Sequence, residues 1–296
     1  MATTRVVYRG NCHCGRYRYE LSLPEEITSA TACGCTLCAK KGYLWVVAPP
    51  DEGSSFRVVR DDGRLVEYSS KALRDKFCGH CGTGVTGEHT AGPLRGQFLV
   101  NVRAIQGVNP FELETNVTIV DTEDEGRIVA ATGEPPAQHV FACHCGNVRA
   151  ELLAPLSEQQ VKEDNCSSCV RNAYVGAYPT KDQVRTRGKD EHAFEYFGLG
   201  AEETGRKWGG LVHCSTCGVF VFNVIYGPPL SVFDKLPPER KARALEAYRR
   251  NVSLLPLNVR ALEGLGREVQ LGGLGVERAD EGTDGYAERL GRWEAE

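Results

Sequence analysis

The chain has 296 residues, 41% of them hydrophobic and 25% charged, with a formal net charge of −4 and a pI near 6.0. That length accommodates two domains of ordinary size, and the charge lacks the basic excess that a nucleic-acid binder carries. No apolar run approaches the roughly 18 residues of a membrane span, and the opening Met1-Ala2-Thr3-Thr4-Arg5-Val6 lacks the regions of a secretory signal. A cytoplasmic protein without nucleic-acid or membrane partners is therefore expected.

Taken in chain order, the pattern is mostly β. Tyr17, Tyr19, Leu21 and Leu23 alternate with polar residues, which predicts a half-buried strand. Short strands are expected at 43–48, 97–102 and 117–120, and Val148, Ala150 and Leu152 repeat the alternation. One helix is predicted over 237–250. It starts Pro-Pro-Glu, is rich in Ala, Leu, Glu, Lys and Arg, and its five basic residues are expected on a solvated face. Residues 276–296 read as a charged tail in which Tyr286, Leu290 and Trp293 can dock locally.

The thirteen cysteines carry most of the information. The cytosol keeps thiols reduced, so so many of them are expected as metal ligands rather than disulfides. They fall into two groups. Cys12, Cys14, Cys35 and Cys38 recur 131 residues later as Cys143, Cys145, Cys166 and Cys169, and Cys78 and Cys81 recur 136 residues later as Cys214 and Cys217. Flanking residues repeat with them. Cys12-His13-Cys14-Gly15 returns as Cys143-His144-Cys145-Gly146, and Asn101-Val102-Arg103-Ala104 as Asn258-Val259-Arg260-Ala261. Four positions at one offset and two at another describe a duplicated domain with a loop insertion. The expected organisation is a first domain at 1–125, a linker at 126–137, a second domain at 138–275 with a helical insertion at about 223–257, and the tail.

Zinc takes four ligands in a structural site, commonly as two closely spaced thiolate pairs. The first copy offers pairs at Cys12/Cys14 and Cys78/Cys81 and a triplet at Cys33/Cys35/Cys38. Any pairing would have been duplicated with the domain, so the offsets leave the choice of partners open. Cys78-Gly79-His80-Cys81-Gly82 suits a zinc knuckle, whose Gly permits the turn that aims backbone N–H groups at sulfur.

The three-part pattern Cys-His-Cys-Gly, then Cys33-Gly34-Cys35-Thr36-Leu37-Cys38, then Phe77-Cys78-Gly79-His80-Cys81-Gly82 resembles the glutathione-dependent formaldehyde-activating enzyme family, which includes centromere protein V. The resemblance spans nearly all of the first copy and, more weakly, most of the second. It implies a mainly β fold of two tandem zinc-binding β-tent domains. It also implies that Cys12, Cys14, Cys78 and Cys81 hold one structural zinc and Cys143, Cys145, Cys214 and Cys217 another. By the same resemblance Cys33, Cys35 and Cys38 hold a third, reactive zinc with an open position. The second copy departs from the pattern, because Asp164 stands where Cys33 does. Asp164, Cys166 and Cys169 then form either a weaker metal site or a bare thiol pair.

Three thiolates make a soft, weakly Lewis-acidic zinc, whose natural fourth partner is another thiolate. A thiol held there loses its proton readily beside an electrophilic carbon. The expected activity is that of a carbon–sulfur lyase or synthase acting on the adduct of a thiol, glutathione by resemblance, with an aldehyde. Lys40, Lys41, Tyr43 and Trp45, just after the triplet, are candidates for the substrate pocket. Core packing for the aromatics and a solvated turn for the lysines are the alternatives. Arg103 is a further anion-binding candidate, though Arg260 at the repeated position favours a shared structural role. His13 and His144 are expected as exposed spacers and His80 as a bystander between ligands. A zinc-stabilised scaffold without turnover, or a secondary-metabolism enzyme with another thiol or carbonyl substrate, remains the alternative function.

Overall fold

The computed structural model describes residues 5–48, 55–113, 117–120, 129–266 and 269–279, with 117–120 described through their backbone. The predicted tail aromatics and part of the predicted linker lie outside the described residues.

The first half begins with β1 (Val6–Asn11) and β2 (Tyr17–Leu23), then β3 (Ala30–Cys33), α1 (Thr36–Lys41), β4 (Trp45–Val47) and β5 (Phe56–Asp61). It continues through β6 (Leu65–Ser69), β7 (Leu73–Cys78), β8 (Gly84–His89), β9 (Phe98–Asn101) and β10 (Val117–Val120). Two sheets result: three strands in the order β1-β2-β5, and seven in the order β10-β3-β4-β9-β8-β7-β6. The alternation of β2 is realised in full, with Tyr17, Tyr19, Leu21 and Leu23 inward.

The second half runs β11 (His139–Ala142), β12 (Arg149–Leu152), β13 (Val161–Asp164), α2 (Ser167–Asn172), β14 (Val175–Ala177) and β15 (Val184–Arg187). Then come α3 (Lys189–His192), β16 (Ala193–Tyr196), α4 (Ala201–Thr204), β17 (Gly209–Cys214), β18 (Phe220–Ile225), α5 (Pro238–Ser253), β19 (Leu257–Asn258) and β20 (Glu277–Ala279). Its sheets are ordered β11-β12-β15 and β16-β17-β18-β19-β14-β13-β20. Read from the other edge, the second order repeats that of the first half, including a parallel strand at the same edge (β10 on β3, β20 on β13). A register shift interrupts both central hairpins, at Lys76/Phe77 and at Val212/His213.

Three details differ from the sequence reading. The helix α5 is one turn longer at its C-terminus than the predicted 237–250, and none of its side chains is buried, so its basic residues do face outward. β20 pairs with β13 beyond residue 275, so the second sheet extends past the boundary expected there. Within the expected linker, Thr132 is docked: its N–H and hydroxyl both donate to Glu151 Oε1, at 2.9 and 3.1 Å.

The halves share a core instead of hanging on a tether. One continuous buried cluster joins Leu37, Trp45, Leu73 and Leu99 of the first half to Phe141, Val212, Phe222 and Leu257 of the second. The contacts across it are reciprocal. α1 packs on the 3-10 turn Val259–Ala261, and α2 on the matching turn Val102–Ala104. Both short helices end in a left-handed residue, Gly42 (φ 57°) and Ala173 (φ 48°). These two ends meet, since a Cβ on Gly42 would lie 2.3 Å from that of Ala173. Only the smallest side chain fits on one side of that contact.

Candidate metal centres

Two turns build the first cluster. Cys12 and Cys14 flank the turn between β1 and β2, and Cys78 and Cys81 flank the turn after β7. Their four sulfurs all lie within 4.8 Å of one another. Cys14 Sγ stands 3.6 Å from Cys12 Sγ and 3.7 Å from Cys78 Sγ. Tyr17 N–H donates to Cys12 Sγ at 3.3 Å, and Gly82 (φ 76°) closes the knuckle with its N–H on Cys78 O at 2.9 Å. The second half repeats the arrangement at Cys143, Cys145, Cys214 and Cys217. There the sulfur separations are 3.5 and 3.4 Å, Val148 N–H donates to Cys143 Sγ at 3.2 Å, and Gly218 N–H reaches Cys214 O at 2.9 Å.

Thiolates 2.3 Å from a tetrahedral zinc sit about 3.8 Å apart, so both clusters match such a site in donor type, number and spacing. Their protonation points the same way. Donating its S–H to Cys14, Cys78 and Cys81 pushes the Cys12 thiol up, whereas accepting from Cys12 and Cys14 pulls Cys78 down. In the second cluster Cys143 goes up and Cys217 comes down to about 7. Sulfurs this crowded divide their protons unequally, and a cation among them lets all four be thiolates.

The third cluster is Cys33, Cys35 and Cys38, all buried, with their sulfurs within 4.8 Å of one another. Cys33 ends β3 and Cys35 caps the N-terminus of α1, so a single tight turn delivers all three ligands. Cys35 N–H donates to Cys33 Sγ at 3.4 Å. Burial first, then hydrogen bonds to Cys33 and Cys35, raises the Cys38 thiol well above its ordinary value. A thiolate at Cys38 therefore needs positive charge nearby. Gly34, between the first two cysteines, is exposed.

Two side chains converge on Cys38. Trp45 Nε1 donates to its Sγ at 3.4 Å, and His89 Nε2 lies 3.8 Å from the same atom. His89 is wholly buried and its Nδ1 has no hydrogen-bond partner among the described residues. Sequence reading named Trp45 but missed His89. It follows Cys38 by 51 residues in no ligand motif and reaches the cluster only because β8 lies near β4 across β9.

The other pocket candidates take different positions. Tyr43 is buried, packs at 4.3 Å and a 47° tilt on Trp45, and donates its hydroxyl to Asp75 Oδ1 at 2.6 Å. Lys41 is buried and ion-paired with Asp75, which is itself wholly buried. Lys40 is buried too, with its ammonium on Ala142 O and Ala261 O at 3.0 Å each and on Glu263 Oε1 at 2.9 Å. The solvated turn expected for these lysines is not found, because the second half covers them and supplies the acceptors of Lys40. Arg103 and Arg260 share a structural contact, donating Nε to Gly42 O at 2.8 Å and to Ala173 O at 2.6 Å.

The knuckle histidines also correct the sequence reading. His13 is buried, not an exposed spacer; its Nδ1 is 2.6 Å from Tyr196 Oη and its Nε2 2.9 Å from Ser167 Oγ. Desolvation lowers its pKa to about 4. His144 makes the reciprocal contact, with Nδ1 2.8 Å from Tyr68 Oη. Each knuckle thus plugs into a tyrosine of the opposite half. His80 is half-buried and lies 3.7 Å from Glu202.

The fourth cluster is Asp164, Cys166 and Cys169, partly exposed, at the corresponding turn before α2. Its surroundings differ. Strand register places Gly176 opposite Asn258 as Trp45 stands opposite Asn101, and Ile225 opposite Gly209 as His89 stands opposite Leu73. Both side chains that approach Cys38 are therefore lacking here, and buried Asn165 occupies the position of exposed Gly34.

Among the described residues, no helix is long and apolar enough to cross a membrane, which says nothing of a β-barrel. Comparison with known proteins bears on the first half. Residues 7–117, which include its seven cysteines, match the family model for glutathione-dependent formaldehyde-activating enzymes. A curated protein of Emericella nidulans, named provisionally as such an enzyme, is 28% identical over 102 residues, 32% of this chain and 50% of the relative. The chain thus spans about half the length of that relative. A crystal structure of a Rhodobacter sphaeroides protein is 29% identical, with a TM-score of 0.33 over 38% of this chain and 98% of the other. Residues 7–117 carry a domain of the glutathione-dependent formaldehyde-activating enzyme family, and the cysteine clusters there can hold metal.

Proposed function

We propose that the chain is a tandem duplication of a zinc-thiolate β-tent domain, at about 1–125 and 138–275, and that it acts as a carbon–sulfur lyase or synthase. Its substrate would be a thiol adduct of an aldehyde, with glutathione as the thiol. The observation that carries this reading is the Cys33/Cys35/Cys38 cluster, three buried sulfurs without a fourth, inside the segment that matches the family. Zinc bound there would supply a soft fourth position at which a substrate thiol is held as thiolate.

The chain's own residues do the rest. The turn from Cys33 to Cys38 fixes the three donors, and the hydrogen bond from Cys35 N–H takes charge from Cys33. Trp45 and His89 flank Cys38 and orient it, as outer-shell groups do around metal ligands. Burial beneath the shared core keeps bulk water from competing, and the exposed Gly34 marks the side from which a substrate arrives. Lys40 and Lys41 are already paired with protein groups, so their part is to lock α1 against the second half and against Asp75. The four-thiolate clusters are structural in this reading. The second half, with Asp164 for Cys33, supports the first instead of turning over substrate.

The burial of all three triplet sulfurs also suits a zinc-stabilised binding module without turnover. The test is zinc per chain by native mass spectrometry on wild type and Cys33→Ala, alongside NMR detection of S-hydroxymethylglutathione from glutathione and formaldehyde. Three zincs falling to two, with formation of the adduct accelerated only by wild type, supports the enzyme. The same loss of zinc with no rate difference across thiol–aldehyde pairs supports the binding module.

A further inference from the structure

The Cys166/Cys169 pair is built unlike the two four-cysteine clusters. Its sulfurs are 2.9 Å apart, against 3.4–3.7 Å for the sulfur pairs of the two four-thiolate clusters. Two thiolates sharing a tetrahedral zinc need about 3.8 Å. The four-thiolate sulfurs approach that separation; this pair would have to move apart by nearly an ångström. Asp164 Oδ1 accepts the Cys166 N–H at 2.6 Å, as Cys33 Sγ accepts that of Cys35. Both sulfurs belong to partly exposed residues, whereas the triplet of the first half is buried.

We infer that Cys166 and Cys169 form a dithiol that exchanges with low-molecular-weight disulfides, glutathione disulfide being the type, and closes to an internal disulfide. This goes beyond the carbon–sulfur chemistry proposed for the first half and does not depend on it. In the first step the Cys166 thiolate attacks one sulfur of the disulfide. A protein–glutathione mixed disulfide forms, the original S–S bond breaks and one glutathione thiolate leaves. In the second step Cys169 gives its proton to solvent and attacks Cys166 Sγ, and the second glutathione thiolate departs. The pair loses two electrons and two protons, and one glutathione disulfide becomes two glutathiones.

Position gives the two sulfurs separate tasks. Cys166 stands at the N-cap of α2, with its Sγ 3.3 Å from Ser168 Oγ, while Cys169 lies within the helix and accepts a hydrogen bond from Cys166 Sγ at 2.9 Å. Cys166 is thus the attacking sulfur and Cys169 the resolving one. The Cys-x-x-Cys spacing on one turn of α2 keeps the resolving thiol within reach of the mixed disulfide.

The test uses the zinc-loaded full chain, equilibrated at neutral pH across a series of glutathione and glutathione disulfide mixtures, acid-quenched, alkylated and mapped by mass spectrometry. Cys166 and Cys169 should lose two hydrogens as a unit. They should do so at disulfide-to-thiol ratios at least about tenfold lower than any other cysteine, with the zinc count unchanged. Cys169→Ser should stop at a glutathionyl adduct on Cys166. A pair that stays reduced across the series overturns the inference. So does one zinc more per chain that shields both cysteines from alkylation and is lost in Asp164→Ala. Neither result touches the activity assigned to the first half.

Discussion

The four-cysteine knuckles of the two halves share their sulfur contacts and the N–H bond to the first cysteine, while the turns that carry the remaining cysteines differ. In the first half Cys33, Cys35 and Cys38 are buried, with Trp45 and His89 beside Cys38. In the second half Asp164, Gly176 and Ile225 take the places of Cys33, Trp45 and His89, and the two sulfurs left belong to more exposed residues. Three changes converge on one locus, although they sit on three different strands. In the proposed reading the knuckles fold through bound zinc and tolerate no exchange of ligands. The proposed reactive site would contribute less to folding, so losing one ligand there would remove the constraint on the groups around it.

The largest expected effect tests whether the knuckles are equivalent. Cys81→Ala and Cys217→Ala should each abolish one structural zinc, a loss on the order of 10 kcal/mol. Because the halves share a core, either change should unfold both in one urea transition. If Cys217→Ala leaves the first half folded with its metal, the halves are independent and the shared core is not what stabilises them.

A smaller effect should separate the halves. Lys41 and Asp75 form a buried ion pair in the first, where the second places Asn172 and Leu211. Burial raises the Asp75 carboxyl and Lys41 opposes that rise. Lys41→Met strands the carboxylate and should lower the urea-derived stability by about 3–5 kcal/mol. Adding Asp75→Leu should recover most of it. No recovery would mean that Lys41 acts through its stacking on Phe77 at 4.3 Å instead of its charge.

His89→Leu and Trp45→Phe should each weaken the zinc at the triplet by roughly 10- to 100-fold, read by chelator competition, and leave the knuckle zincs unchanged. Unchanged affinity in both would reduce the pair to core packing. Smallest of all, Ala173→Gly should stabilise the chain by less than about 1 kcal/mol, since Gly adopts φ 48° without strain. Gly42→Ala, at the partner position, should destabilise it, because the added Cβ meets Ala173.

Much of this was legible in the sequence for local reasons. Cys-x-Cys and Cys-x-x-Cys spacings place ligands on single turns, so the 131- and 136-residue offsets foretold which turns would carry clusters. Alternation foretold β2, and the Pro-Pro-Glu start foretold α5 to within a turn. Tertiary structure decided what depends on distant strands. Lys40 and Lys41 read as pocket residues or a solvated turn because nothing local shows that Ala142, Ala261 and Glu263 will close over Lys40. His13 read as exposed because Tyr196 and Ser167 come from the other half. His89 lies on no motif at all. Metal ligation is a short-range demand that a sequence writes as spacing, whereas burial and outer-shell contacts arise from strand register and from the packing of one half on the other.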